Sequence, residues 1–127
     1  MGQSGELQMP EVRALNTEQF CYLTTTGRVS GQPREIEIWF GIRGRTLYML
    51  SGGRDQSNWV KNIKKDPSVS VRIGRRTFRG AGRIVTDRKE DLAARKLLAG
   101  KYASSSDDLS EWGRDALPVA VDLATGL

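Results

Sequence analysis

The 127-residue sequence has no histidine and one cysteine, and no apolar run in it approaches the ~20 residues of a spanning helix. Without histidine the chain lacks the usual general base, the Ser–His and Cys–His nucleophile pairs and the commonest metal ligand. That excludes a triad hydrolase and disfavours a transition-metal enzyme. A lone Cys21 permits no internal disulfide and no thiolate metal cluster. Set between Phe20 and Tyr22, it reads as a buried structural residue rather than a reactive thiol. Neither the dinucleotide fingerprint G-x-G-x-x-G nor the phosphate-loop G-x-x-x-x-G-K occurs. Alternating βαβ units, internal repeats, low-complexity tracts and Pro/Gly-rich linkers are also missing. The opening Met1–Glu6 lacks the basic and apolar regions of a secretory signal. The expectation is a cytoplasmic protein with no stable membrane insertion. It comprises a lead-in and short helix over residues 1–17 and one domain over residues 18–127.

What is present is charge and strand-like alternation. Lys and Arg number 20 against 15 Asp and Glu, a formal charge of +5. This favours an anionic partner, whether nucleic acid, an acidic membrane or a phosphorylated small molecule. Mean hydropathy is −0.47, too polar for a membrane protein.

Pro10 suits the first turn of a helix over residues 9–17. Strands are expected over residues 19–26, 33–40 and 46–50, with turns at Gly27–Gly31 and Gly41–Arg45. In the second, Ile36, Ile38 and Phe40 alternate with Glu35, Glu37 and Trp39, the period of a half-buried strand. Ser57 or Asn58 then caps a helix with Trp59, Val60 and Ile63 on its apolar stripe, ended by Asp66-Pro67. Val69, Val71 and Ile73 mark a fourth strand, and residues 77–85 a fifth, in which Gly80 and Gly82 suggest a bulge or sharp bend. Asp87 caps a helix to about Leu98, and a polar stretch from Ser104 to Asp108 leads to a short helix around Leu109–Arg114. Leu117–Leu123 close the chain as a sixth strand. The architecture expected is mainly β with peripheral helices, an antiparallel barrel of six strands.

Two segments concentrate groups that hold anions. Thr24 to Arg34 combines threonine hydroxyls, a Gly-rich turn with free N–H groups, and the guanidinium of Arg28. It reads equally as a plain hairpin. Ser51-Gly52-Gly53-Arg54 precedes a helix start at Asn58-Trp59-Val60-Lys61-Asn62, where exposed N–H groups and the dipole favour anions. Alone it is an ordinary strand-to-helix loop with Trp59 as a core anchor. Together the two loops, both basic and both at strand ends, point to one shared anionic site. Arg72, Arg75, Arg76, Arg79 and Arg83 read as a solvated barrel face rather than a nucleic-acid stripe, since only Phe78 is interleaved with them. Asp107, Asp108 and Glu111 read as solvated charges, and no metal site is expected. Tyr102 and Trp112 either line a pocket or cover the barrel end.

The run Leu23-Thr24-Thr25-Thr26-Gly27-Arg28 followed by Ser30-Gly31-Gln32-Pro33-Arg34 resembles the opening signature of the deazaflavin-dependent nitroreductase family. Those proteins belong to the pyridoxamine-phosphate-oxidase-like split-barrel group. Leu50-Ser51-Gly52-Gly53, Trp59, Asn62, Asp66-Pro67 and Val69-Val71 are similar to that family's second signature, and Leu117–Val121 to its last strand. The resemblance implies a split β-barrel that binds coenzyme F420, an 8-hydroxy-5-deazaflavin with an anionic phosphate and glutamate tail. It implies hydride transfer to an electron-poor small molecule such as a quinone, enone or nitro compound, and a homodimer. By position, the first motif supplies Thr26, Arg28, Ser30, Gln32, Pro33 and Arg34, with Arg28 and Arg34 meeting the tail or phosphate. Ser51, Gly52, Gly53 and Arg54 would cradle the phosphate region, supported by Trp59, Lys61 and Asn62. The sequence departs from the family in having Val29 where a basic residue is common, in a short loop from Ser51 to Trp59, and in lacking acceptor-pocket tyrosines within Ser104–Trp112. FMN in place of F420, and a non-catalytic carrier of the cofactor, are the alternatives.

Overall fold

In the computed structural model, which describes residues 9–103 and 110–124, two-residue alternation decides which face of each strand is buried. Strand β1 (Cys21–Thr26) turns Cys21, Leu23 and Thr25 inward, and β5 (Ser68–Ile73) does so with Val69, Val71 and Ile73. The other strands are β2 (Pro33–Ile38), β3 (Gly41–Arg43), β4 (Thr46–Ser51), β6 (Arg76–Ile84) and β7 (Leu117–Leu123). All seven form one antiparallel sheet in the order β2-β1-β5-β6-β7-β4-β3, curled into a split barrel whose edges are β2 and β3. The helices are α1 (Met9–Asn16), α2 (Asn58–Lys65), α3 (Arg88–Lys101) and α4 (Ser110–Asp115).

The main core fills the inside of the curl. Val12 and Leu15 of α1 and Val60 and Ile63 of α2 pack there against Leu23, Leu47, Met49, Val71, Phe78, Val119 and Val121. Burying each such side chain contributes about 1.5–3 kcal/mol. A second cluster lies on the other face of β4 and β7, where Tyr48, Leu50 and Ala120 meet Ala94 and Leu98 of α3 and Ala116. β4 and β7 are therefore covered on both faces. This is why Leu47–Leu50 and Val119–Val121 read as unbroken apolar runs instead of alternating.

Three features differ from expectation. The segment expected to be a turn at Gly41–Arg45 contains the short strand β3, paired to β4 from Gly41↔Tyr48 to Arg43↔Thr46, so the strand count is seven rather than six. Its three residues begin on a glycine and end beside Gly44, which hides them from any propensity argument. Gly80 and Gly82 mark no bulge, because the register runs unbroken through Gly80 with both β5 and β7 and through Gly82 with β7. Gly80 and Ala81 instead belong to both ladders at once, and a Cβ on Gly80 would stand 2.6 Å from Val121 Cγ1 and 2.8 Å from the Asp122 carbonyl oxygen. Close approach requires glycine at position 80. Ser57 occupies the N-cap position of α2, but its hydroxyl contacts Ser51 Oγ at 2.8 Å rather than a helix N–H.

Other expectations hold. Asp87 caps α3, its carboxylate accepting from Glu90 N at 2.9 Å. The helix expected near Leu109–Arg114 is α4, while Leu109 itself, the Ser104–Asp108 stretch and the lead-in up to residue 8 lie outside the described residues.

The end of the barrel by α3 is closed by aromatic packing. Trp39 stacks on Tyr102 with ring centroids 4.2 Å apart, and Trp112 stands edge-on to both. Tyr102 Oη donates to the Gln19 carbonyl at 2.7 Å and accepts from Phe40 N at 3.0 Å. Burial pushes this phenol up to about 12. Burial likewise pushes the Cys21 thiol up to about 12, so it is inert near neutral pH.

Candidate functional site

At the opposite end of β1 the chain turns through residues 27–32. Gly27 N donates to the Gln32 carbonyl and Gly31 N to the Gly27 carbonyl, both at 2.8 Å. Gly31 sits at φ 73°, a left-handed conformation that side-chain-bearing residues seldom adopt. Ser30 Oγ accepts from Gln32 N at 3.1 Å and from Arg34 Nη2 at 3.3 Å, so the turn braces the arginine that follows it.

The turn lies against the start of α2. Arg28 donates through Nη1 to Asn62 Oδ1 at 2.9 Å and through Nη2 to Asn58 Oδ1 at 3.1 Å, and its main-chain N–H donates to Asn62 Oδ1 at 3.1 Å. Asn62 Nδ2 completes the set by donating to Thr25 Oγ1 at 3.0 Å. Thr25 and Asn62 are both buried polar residues, and each satisfies the other.

Turn, edge strand and helix enclose an open groove of about 540 Å³. Arg28, Ser30, Arg34, Asn58 and Asn62 supply its polar lining, and Ile36 and Trp59 its apolar lining, with Glu35 at the rim. The half-buried Trp59 both packs against the core and faces the groove, so its two expected roles coincide. The α2 N-terminus adds the positive end of its dipole.

Not every expected site residue gathers here. Thr26 and Pro33 line a neighbouring depression of about 410 Å³ on the outer face, with Ser68, Ser70 and Arg79. Gln32 serves the turn through its backbone. Ser51 is buried, and its hydroxyl donates to the Arg54 carbonyl at 2.8 Å. Gly52 and Gly53 are exposed, and a Cβ on Gly52 would meet nothing within 4 Å. Arg54 adopts φ 53°, rare for a residue with a side chain, and its guanidinium donates to the Asp115 carbonyl. Lys61 is half-buried on α2 and is not among the groove's lining residues. The Ser51–Arg54 loop is thus an open backbone surface beside the groove rather than part of its wall.

Thr25 and Asn58 belong to the two segments singled out in the sequence but were not among the expected cofactor-binding residues. Thr25 carries a readable signal, a hydroxyl at an inward position of an alternating strand after Cys21 and Leu23. Asn58 carries none, because its role depends on where Arg28 reaches.

Three of the five arginines expected on the barrel's outer face are engaged locally. Arg76 pairs with Glu11 at 2.9 Å, Arg72 lies over the Tyr22 ring, and Arg83 bridges Glu90 and Asp122 at 2.7 Å each. Among the described residues no cluster of three or more potential metal ligands occurs, and no helix is long and apolar enough to cross a membrane.

Known structures share this fold. One is a candidate 5-nitroimidazole antibiotic resistance protein of Bacteroides thetaiotaomicron (TM-score 0.71, 15% identity, 97% of this chain and 85% of that one). A second is a candidate pyridoxamine 5'-phosphate oxidase of Listeria innocua (TM-score 0.66, 17% identity, 90% and 91%). A third is an F420-H2 dependent reductase, FDR-A (TM-score 0.64, 23% identity, 81% and 93%). At these identities the likeness establishes the split barrel. The family model for the F420H(2)-dependent quinone reductases matches residues 4–124, nearly the whole chain. This protein belongs to the F420H(2)-dependent quinone reductase family.

Proposed function

We propose that the groove between the β1–β2 turn and α2 binds reduced coenzyme F420, and that the protein passes its hydride to an electron-poor small molecule, a quinone foremost. The observation that carries this reading is the groove's donor set. Two arginines, a serine hydroxyl and the exposed Asn58 amide lie beside an apolar flank of Trp59 and Ile36, with the buried Asn62 bracing Arg28 from behind. That combination suits a ligand with an anionic tail and a flat ring. The open surface at Gly52 leaves room for main-chain N–H groups to approach a phosphate.

When bound, reduced F420 supplies the hydride, so the hard chemistry is the cofactor's. The chain's own residues bind and orient. Arg28 and Arg34 would hold anionic oxygens, with Asn62 and Ser30 holding those two guanidinia in place. Trp59 would give the ring a flat partner. The absence of histidine suits a reaction in which water or a hydroxyl meets the small proton demand. Pairing of two copies belongs to the same proposal, since β2 leaves one edge of the sheet open.

Stopped-flow oxidation of the protein-bound reduced coenzyme by a panel of quinones, enones and nitro compounds tests the reading. Saturable turnover with at least one quinone supports it. Binding without turnover across the panel would make the protein a carrier.

A further inference from the structure

Helix α3 has two sides of different character. Inward, Ala94 and Leu98 are buried, Glu90 is held by Arg83 and Tyr48, and Asp91 pairs with Arg95 at 2.6 Å. Outward, Leu92 is 58% exposed, one of two large exposed hydrophobics among the described residues. Arg88, Lys89 and Lys96 are exposed on the same helix, and Arg43 is exposed on the adjoining β3. Lys89, Leu92 and Lys96 share one side by their spacing. A shallow depression of about 550 Å³ is lined by Arg43, Lys89, Leu92, Ala93, Lys96 and Leu97. None of Arg43, Arg88, Lys89 and Lys96 has an ion-pair partner among the described residues. The helix's own carboxylates, Glu90 and Asp91, are taken up by arginines, and the capping Asp87 accepts from Glu90 N.

We propose that this face docks the protein on an anionic lipid bilayer, with Leu92 entering the headgroup–acyl boundary and Arg43, Arg88, Lys89 and Lys96 meeting lipid phosphates. Charge complementarity selects this occupant. An apolar protein surface laid over the patch would desolvate unpaired cations without recompense. A lipid surface offers an apolar layer under Leu92 and anions all round it, and lysine stems extend across that boundary with the ammonium in the polar layer. Single-stranded nucleic acid wants aromatic platforms, and the depression is lined by Leu92, Ala93 and Leu97 instead. Docking of this kind lies on the membrane and does not cross it, in keeping with the lack of a spanning helix among the described residues. The patch is built from α3 and β3, whereas the groove is built from the β1–β2 turn, β2 and α2, so the two readings fail independently.

Co-sedimentation of the full chain with phosphatidylcholine vesicles, with and without phosphatidylglycerol, is the test. Binding is expected only to the anionic vesicles and falls steeply as salt is added. Lys89→Glu with Lys96→Glu should weaken it at least about tenfold. Leu92→Asp should weaken it too, with thermal unfolding near that of the unaltered chain in each case. Arg75→Glu with Arg79→Glu makes the same change in net charge on another face and should leave binding near the starting value. No binding to anionic vesicles would overturn the proposal. So would equal loss from the Arg75/Arg79 pair, or binding to soluble polyglutamate without binding to vesicles.

Discussion

Asn62 Oδ1 accepts hydrogen bonds from both the main-chain N–H and the Nη1 of Arg28, at 3.1 and 2.9 Å. One buried amide thereby fixes the tip of the β1–β2 turn to α2 and sets the direction of the groove's principal cation. Its other end donates to Thr25 Oγ1, so the asparagine is engaged at both termini. Asn62→Ala leaves the buried Thr25 hydroxyl without its donor and lets Arg28 swing free. The expected cost is about 1–3 kcal/mol. Thermal unfolding checks the loss, and coenzyme titration of the same variant should show weaker binding.

Gly80 and Gly52 should separate packing from ligand access. At Gly80 a Cβ would press on Val121 Cγ1 and the Asp122 carbonyl, and backbone cannot yield cheaply. Gly80→Ala should destabilise the fold by about 1–3 kcal/mol. At Gly52 a Cβ meets nothing within 4 Å. Gly52→Ala should leave stability within about 0.5 kcal/mol, yet it places a methyl group where the phosphate is proposed to approach. Denaturant unfolding and coenzyme binding, measured on both variants, should move in opposite patterns.

Acid stability should depend on Glu90. Its hydrogen bonds from Arg83, and secondarily from Tyr48, lower it from 4.5 to about 2. The unfolded chain takes up a proton there before the folded chain does. The carboxylate's contribution is therefore complete above 4.5 and is lost as pH falls through about 2. Urea unfolding across this range should show a stability gap between the unaltered chain and Glu90→Gln that is widest at the upper end and narrows steadily toward pH 2.

Local chemistry made much of this legible. β5 was readable from Val69, Val71 and Ile73 alone, and Asp87 marked the start of α3 as any capping aspartate does. The β1–β2 turn was readable as a turn because Ser30, Gly31 and Arg34 interact within a few residues of one another. What escaped depends on distant partners. Arg54 was expected beside the phosphate, yet its guanidinium donates to a carbonyl 61 residues away. Asn58 acquires its place from Arg28, 30 residues earlier, and Gly80 from its close approach to Val121. No window of sequence contains those pairs.

The central claim is that the Arg28–Arg34–Trp59 groove holds the deazaflavin coenzyme. Fluorescence titration of the full chain with purified F420, run beside FMN and repeated on Arg28→Ala, tests it most directly. The account predicts saturable F420 binding at micromolar or tighter concentration, weaker FMN binding, and a loss of about tenfold or more on removing one charge-assisted anion contact. No F420 binding, or equal F420 affinity in the unaltered chain and a folded Arg28→Ala, would contradict it.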